Sequence, residues 1–321
     1  MSKVIETFLP WQQRLLDQVS KGLAEIDTGG NSVGILLSGP SGTGKTALLD
    51  ELSGAYPPYV EGIQRCFPCC RVSALAKSET TSVSQSILVQ LGWSLAAAST
   101  IRGPELEMNV HRALNRCRVR ILILEELNNA LTLESKLLRG QLARFLKNLW
   151  NLHPPDDPQS WAHPQKDRAD RRLIIIVSGT EDIRSAFDAK VDAELSSRFS
   201  CRVNAMKLWF DAPESRSQFR TVFTTISSRW GLIGLVDPSD PGVLSRSLFA
   251  CQGHLRELDS LLRRAATLHK RGGTAYPENA PLAEAFDEVI RRDSSQGNPF
   301  LWSEGELRER LAAVTGPRGG R

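Results

Sequence analysis

Short runs that are apolar at nearly every position alternate, up to about residue 210, with stretches whose apolar residues recur every three or four positions. The runs at 33–38 (VGILLS), 70–75 (CRVSAL), 120–124 (RILIL), 173–178 (LIIIVS) and 201–208 (CRVNAMKL) predict strands covered on both faces, as in a parallel sheet. The stretches at 46–53, 83–91, 105–116 and 133–152 predict helices between them. Such alternation implies a doubly wound α/β layout with five parallel strands.

Beyond about residue 210 the strand pattern stops. Phe219, Val222, Phe223 and Ile226 form one stripe of a helix at 215–230. Leu255, Leu258, Leu261, Leu262, Ala265 and Leu268 form another at 254–271. Asp240 before Pro241 reads as an N-cap and first helical position. The expected organisation is an N-terminal helical segment (1–32), an α/β core (33–210), a small all-helical lid (211–292) and a flexible tail rich in Gly and Arg (293–321). Segment 151–172 is dense in Pro, Asp and basic residues and predicts an exposed loop before the fourth strand. Its His153 and His163 lack the clustered partners a metal would need.

Composition narrows the class without choosing it. With 321 residues, 41% hydrophobic and 24% charged, the chain can bury a sizeable core, and disorder as its main state is excluded. A net charge of +4 permits a polyanionic partner but does not require one. No apolar run approaches the roughly 20 residues of a membrane helix, so no membrane partner is expected. The start, MSKVIETFLPWQQRLL, lacks a basic-then-apolar leader layout. Six scattered cysteines do not make a disulfide framework, and a reduced, cytoplasmic protein is expected.

The informative segment is Gly39-Pro40-Ser41-Gly42-Thr43-Gly44-Lys45-Thr46, which fits the P-loop pattern G-x-x-x-x-G-K-[ST]. Its glycines permit a tight turn in which successive N–H groups point at phosphate oxygens. The helix that follows turns its positive dipole end toward the anion. Lys45 supplies a charged donor, and the Thr46 hydroxyl is placed to ligate Mg²⁺. The strand VGILLS before it and the helix TALLDEL after it give the motif its required context.

Glu125 and Glu126 follow the strand RILIL, at the sheet end where doubly wound folds place chemistry. The usual pattern here is Asp then Glu, for the metal shell and the catalytic base. Glu125 stands in the Asp position, its extra methylene moving the carboxylate by about 1.5 Å. The fourth strand ends in Ser178-Gly179-Thr180, polar groups that could sense a γ-phosphate. Arg198, in Ser197-Arg198-Phe199, could reach a neighbouring subunit's nucleotide, and Arg256 in the lid could reach back over the phosphates.

In this order these motifs resemble an AAA+ ATPase over about residues 10–275. More narrowly, LILEELNNAL and IIIVSGTEDIRSAF…ELSSRF resemble the TniB/TnsC family of transposition regulators. The resemblance implies ATP and Mg²⁺ as cofactors and an ATP-dependent switch that assembles as a homo-oligomer, a ring or helical filament, on double-stranded DNA. It implies a target-selector protein and a transposase as partners. It assigns Lys45 and Thr46 to phosphate and Mg²⁺, Glu125 to Mg²⁺, Glu126 to the attacking water, Thr180 or Ser178 to sensing, and Arg198 to a finger acting in trans.

Candidates for contact with DNA phosphates are Lys77, Thr80 and Thr81 after the second strand, and Arg102, Arg112, Arg116 and Arg118 before the third. Residues 101–120 hold five arginines against two glutamates. Cys66, Cys69 and Cys70 form a C-x-x-C-C group without a second half, read as packing around a strand start rather than as a zinc site. Two other readings of the nucleotide fold stand beside the first: a signalling or scaffold NTPase that binds a protein partner without DNA, and a helicase-loader-like ATPase.

Overall fold

The computed structural model of the chain describes residues 9–73, 80–127, 136–151, 172–188, 190–209, 212–232, 236–272, 280–290 and 297–315. The expected loop at 151–172, apart from its two end residues, lies outside them with His153 and His163, and so does Lys77. The chain divides into two compact units, one formed by residues 1–40 and 45–205, the other by residues 41–44 and 206–321.

The first unit is a three-layer α/β fold. Helix α1 (Pro10–Asp27) starts on a proline and is closed by a bond from the Leu9 amide to Gln12 Oε1 (3.1 Å). Next come β1 (Val33–Ser38) and α2 (Lys45–Ala55), then a hairpin of β2 (Tyr59–Glu61) and β3 (Gln64–Cys66). The chain goes on through β4 (Cys69–Ser73), α3 (Thr80–Gln90), α4 (Leu95–Thr100), α5 (Gly103–Arg116), β5 (Ile121–Glu125) and α6 (Lys136–Trp150). It closes with β6 (Ile174–Gly179), the short helices α7 (Ile183–Ala186) and α8 (Ala193–Arg198), and β7 (Cys201–Asn204).

Five strands form one sheet in the order β4-β5-β6-β1-β7, with every pairing parallel. The expected five-stranded parallel sheet is therefore present. Strands β1, β5 and β6 are buried almost throughout, which accounts for their unbroken apolar runs. Because β1 lies between β6 and β7, the loop leaving it emerges beside the end of β6, one strand from the end of β5. Phe145, Phe187 and Phe199 fill the core beneath, the last two edge to face at 5.0 Å between centroids.

Two details differ from the sequence expectation. The last strand stops at Asn204 instead of running to 208. Its partner β1 ends at Ser38, so no parallel neighbour remains to extend the ladder. The β2–β3 hairpin was not expected. Its three-residue strands are too short for a period-2 signal, and its two-residue turn carries Gly62 at φ +61°.

The second unit holds helices α9 (Pro213–Trp230), α10 (Pro241–Cys251), α11 (Leu255–Gly272) and α12 (Ala280–Val289), a 3₁₀ turn (Pro299–Leu301) and α13 (Glu304–Thr315). Leu258, Leu261, Leu262 and Leu268 of α11 are buried where it packs against α9, α10 and α12. Asp240 caps α10 through the Gly242 amide (2.7 Å), as its sequence position implied.

The tail expected to be flexible is folded over its described part. Buried Arg246 of α10 donates to the carbonyls of Pro299 (2.9 Å) and Trp302 (2.6 Å) and pairs with Glu304 (2.7 Å). Trp302 meets Phe249 edge to face at 5.3 Å between centroids. These contacts outweigh the local composition that argued for disorder. Among the described residues no helix is long and apolar enough to cross a membrane.

Candidate functional site

The loop between β1 and α2 contains the glycine-rich motif. At Gly39 a Cβ would lie 2.2 Å from the Ala205 carbonyl oxygen, so the chain leaving β1 can pass the chain leaving β7 only as glycine. Gly44 has φ +90°, which sets the backbone for the entry into α2. Lys45 Nζ donates to the carbonyls of Gly39 (2.7 Å) and Pro40 (2.8 Å), which places its charge inside the loop. Thr43 is buried. Within the helical unit, the Arg256 amide donates to the Gly42 carbonyl (3.1 Å), while the Arg256 side chain is exposed.

Glu125 and Glu126 are consecutive but differently set. Glu125, the last residue of β5, is only 4% exposed. Its Oε2 accepts from Arg71 Nε (2.8 Å) and lies 2.6 Å from Arg71 Nη2. Arg71, on the neighbouring strand β4, also pairs with Asp50 of α2. Glu126 is exposed and sits at φ +55°, in the left-handed region, where its backbone turns out of the strand. The following amide, Leu127 N–H, is tied to the Ser178 carbonyl (3.2 Å), which fixes that turn against the end of β6.

Thr46, Arg71, Glu125 and Glu126, with Ser53, Ser73 and Gln90, line one cavity of about 420 Å³. A hydroxyl and two carboxylates at one cavity wall are hard oxygen donors of the kind Mg²⁺ takes. The positive-φ glycines and the lysine beside them suit a polyphosphate. The residues thus fit both groups, with the proviso that Glu125 already has a cationic partner in Arg71.

Thr180 lies just past β6, half-buried, its carbonyl accepting from the Ile183 amide (3.3 Å); Ser178 is buried within the strand. Arg198 ends α8 with a side chain 16% exposed, donating to the Lys147 carbonyl (2.7 Å) and to Glu194 (2.6 Å) in its own chain. Lys147 in turn meets Asp192 (3.0 Å) and Glu194 (2.9 Å). Sequence reasoning missed two arginines here. Arg71 had no motif around it. Arg184 donates to Ser38 Oγ (2.8 Å) and to Asn204, joining the ends of β1 and β7 immediately before the loop.

Residues 9–153 match a family described as Bacterial TniB protein. Over that stretch the chain is similar to the TniB family. Solved structures agree on the fold. The Aeropyrum pernix ORC1 protein in complex with DNA superposes with a TM-score of 0.58 at 17% identity, over 98% of this chain and 80% of that one. The Aeropyrum pernix ORC2 protein in its ADPNP–ADP complexes gives 0.60 at 15% identity, over 90% and 69%. CDC6p from Pyrobaculum aerophilum gives 0.55 at 16% identity, over 89% and 69%. No curated protein matches the chain in sequence.

The TniB match includes the glycine-rich loop, both glutamates and all the candidate DNA contacts. The structure gives those contacts different settings. Thr80 and Thr81 form the first turn of α3 and are half-buried. Arg102 bonds carbonyls of its own turn, including that of Ile101 (2.8 Å), and Arg118 pairs with Glu61 of the hairpin. Arg112 and Arg116 are exposed, one turn apart on α5.

The cysteines are core. Cys66, Cys69, Cys70 and Cys117 are buried, and among the described residues no three or more His, Cys, Asp and Glu side chains cluster as a metal site would require. Burial pushes the Cys69 thiol up to about 11 and Cys70 higher still, so both are protonated and unreactive at neutral pH.

Proposed function

We propose that this TniB-type protein is an ATP-dependent regulator of DNA transposition. It hydrolyses ATP slowly, assembles head to tail on duplex DNA as a ring or helical filament, and connects a target-selector protein to a transposase. The observation that carries the reading is the convergence of Thr46, Glu125 and Glu126 on one cavity beside the glycine-rich loop, in a chain with the TniB match.

In this reading Lys45 moves from the carbonyls of Gly39 and Pro40 to phosphate oxygens. Thr46 and Glu125 hold Mg²⁺, whose charge offsets that of the phosphates. Glu126, exposed on its outward turn, accepts the proton of the attacking water. Thr180 or Ser178 reports on the γ-phosphate, and Arg256 serves it from the lid. Arg198 exchanges Glu194 and the Lys147 carbonyl for a neighbouring subunit's nucleotide. Arg112 and Arg116, with Arg102, Arg118, Thr80, Thr81 and Lys77, contact DNA phosphates without reading sequence.

The test is phosphate release by the purified protein with ATP and Mg²⁺ at low salt, with and without duplex DNA, alongside electron microscopy. DNA should raise turnover and produce rings or filaments, and added salt should weaken both. Turnover indifferent to DNA at low salt would overturn the DNA part and favour an NTPase that binds a protein partner. Stable binding to a replicative helicase would favour a loader.

A further inference from the structure

Arg71 has no place in the roles assigned above, yet it is the side chain most closely engaged with the proposed metal carboxylate. Two of its nitrogens, Nε at 2.8 Å and Nη2 at 2.6 Å, converge on one oxygen, Glu125 Oε2. Its third nitrogen pairs with Asp50. Asp50 lies four residues after Thr46 on α2, hence on the same helix face. Arg71, itself in the wall of the cavity, therefore ties β4 both to Glu125 and to the helix that carries Thr46. A carboxylate as buried as Glu125 requires a counter-charge, and in this fold Arg71 supplies it from the adjacent strand.

A magnesium ion would need lone pairs of that same carboxylate, and a dication next to a guanidinium is repelled. We infer that Arg71 is a built-in counter-ion that competes with Mg²⁺ for Glu125, so that loading the metal on the proposed nucleotide site displaces Arg71 from this carboxylate. The inference rests on the nucleotide reading of the cavity and assigns Arg71 as a positioning residue that sets the Mg²⁺ requirement. Glutamate in place of aspartate suits this arrangement, since its longer side chain can meet Arg71. Competition at one carboxylate is reciprocal: the factor by which the Arg71 contact weakens Mg²⁺ is the factor by which Mg²⁺ weakens the Arg71 contact.

The experiment compares the full-length wild-type chain with Arg71→Gln, Arg71→Lys and the double variant that adds Glu125→Gln to Arg71→Gln. Mg²⁺ is titrated first without nucleotide, following the thermal unfolding midpoint, and then at fixed ATP, following nucleotide binding by calorimetry. For Arg71→Gln the half-saturating Mg²⁺ in the ATP experiment should fall about five- to tenfold, the low end of coupling between ligands of one site. Mg²⁺ alone should raise its unfolding midpoint while leaving that of the wild type unmoved. Arg71→Lys keeps the charge but loses the two-nitrogen contact, and should fall between the two. Adding Glu125→Gln to Arg71→Gln should abolish the Mg²⁺ response that Arg71→Gln alone shows without nucleotide.

Unchanged Mg²⁺ dependence in Arg71→Gln and Arg71→Lys would overturn the inference. So would weaker ATP binding by both variants at every Mg²⁺ level, chelator included, because Arg71 would then be a phosphate ligand. If Arg71→Gln does not fold, the Arg71→Lys titrations decide alone. A wild-type chain that binds no ATP at any Mg²⁺ concentration would sink the nucleotide reading, while the nucleotide-free titration would still decide the role of Arg71.

Discussion

The two ends of strands β4 and β5 carry opposite chemistry. At the starting end, Cys69 and Cys70 are buried with Cys117 nearby in sequence to β5, and the Pro68 carbonyl takes the amides of Arg120 and Ile121 at 2.9 Å. At the finishing end, Arg71, Ser73, Glu125 and Glu126 open into a cavity. Cys69, Arg71 and Ser73 alternate onto one face of β4, so that face passes from buried thiol to charged cavity wall within a single short strand. What separates the ends is access to solvent and ligand. The thiols sit where burial holds them protonated. The charges sit where loops leave the sheet and a cavity gives them partners.

Substitutions should separate the two ends, affecting ligand handling at the cavity and stability at the thiols. Lys45→Ala has the largest expected effect, a loss of ATP affinity of about a hundredfold or more by calorimetry, since a charge-assisted contact to phosphate is removed. The unfolding midpoint without nucleotide should hardly move. Glu126→Gln should retain ATP but slow phosphate release by about 10²–10⁴-fold. Glu126→Gly should be equally inactive yet more stable by about 1 kcal/mol in urea titrations, because the left-handed backbone then costs nothing. A less stable glycine variant would show that the turn carries no strain.

At the thiol end, Cys70→Ser should cost about 1–3 kcal/mol by leaving a buried hydroxyl short of partners, with ATP affinity preserved. Chelators should not change the stability of the wild type, and a drop with chelator would revive a metal at these cysteines. The smallest effect tests whether charge by itself marks function. Burial opposes ionisation of Asp192, but the Leu195 amide and the Lys147 ammonium outweigh it and hold the carboxyl below its usual range. Asp192→Ala should cost about 1 kcal/mol at neutral pH as a lost helix cap. Because the folded pKa is depressed, that difference is fully present above the ordinary carboxylate value of about 4 and shrinks as pH falls through the folded value.

Much of this was legible before folding was considered. The runs VGILLS, RILIL and LIIIVS became the three central strands within a residue at either end. The glycine-rich loop announced itself because its chemistry depends on consecutive residues, and the pair Glu125-Glu126 because it follows a buried run. Arg71 was not legible, since its partners are 21 and 54 positions away. Arg184 was not legible either, its bond to Ser38 closing across 146 positions. The tail misled because composition speaks for a segment in isolation, whereas Arg246, Phe249 and Glu304 order it through contacts made at a distance.

By itself, the sequence determined the layering of the core, the loop that can cradle phosphate and the two carboxylates that follow the central strand, because each depends on neighbours along the chain. Only the tertiary structure decided that Glu125 is buried against an arginine while Glu126 is turned outward, that Arg198 is bonded within its own chain, and how deeply each cysteine is buried. The reason is physical: burial, counter-charge and hydrogen-bond partners are set by residues brought together across the sheet, and spacing along the chain carries no record of them.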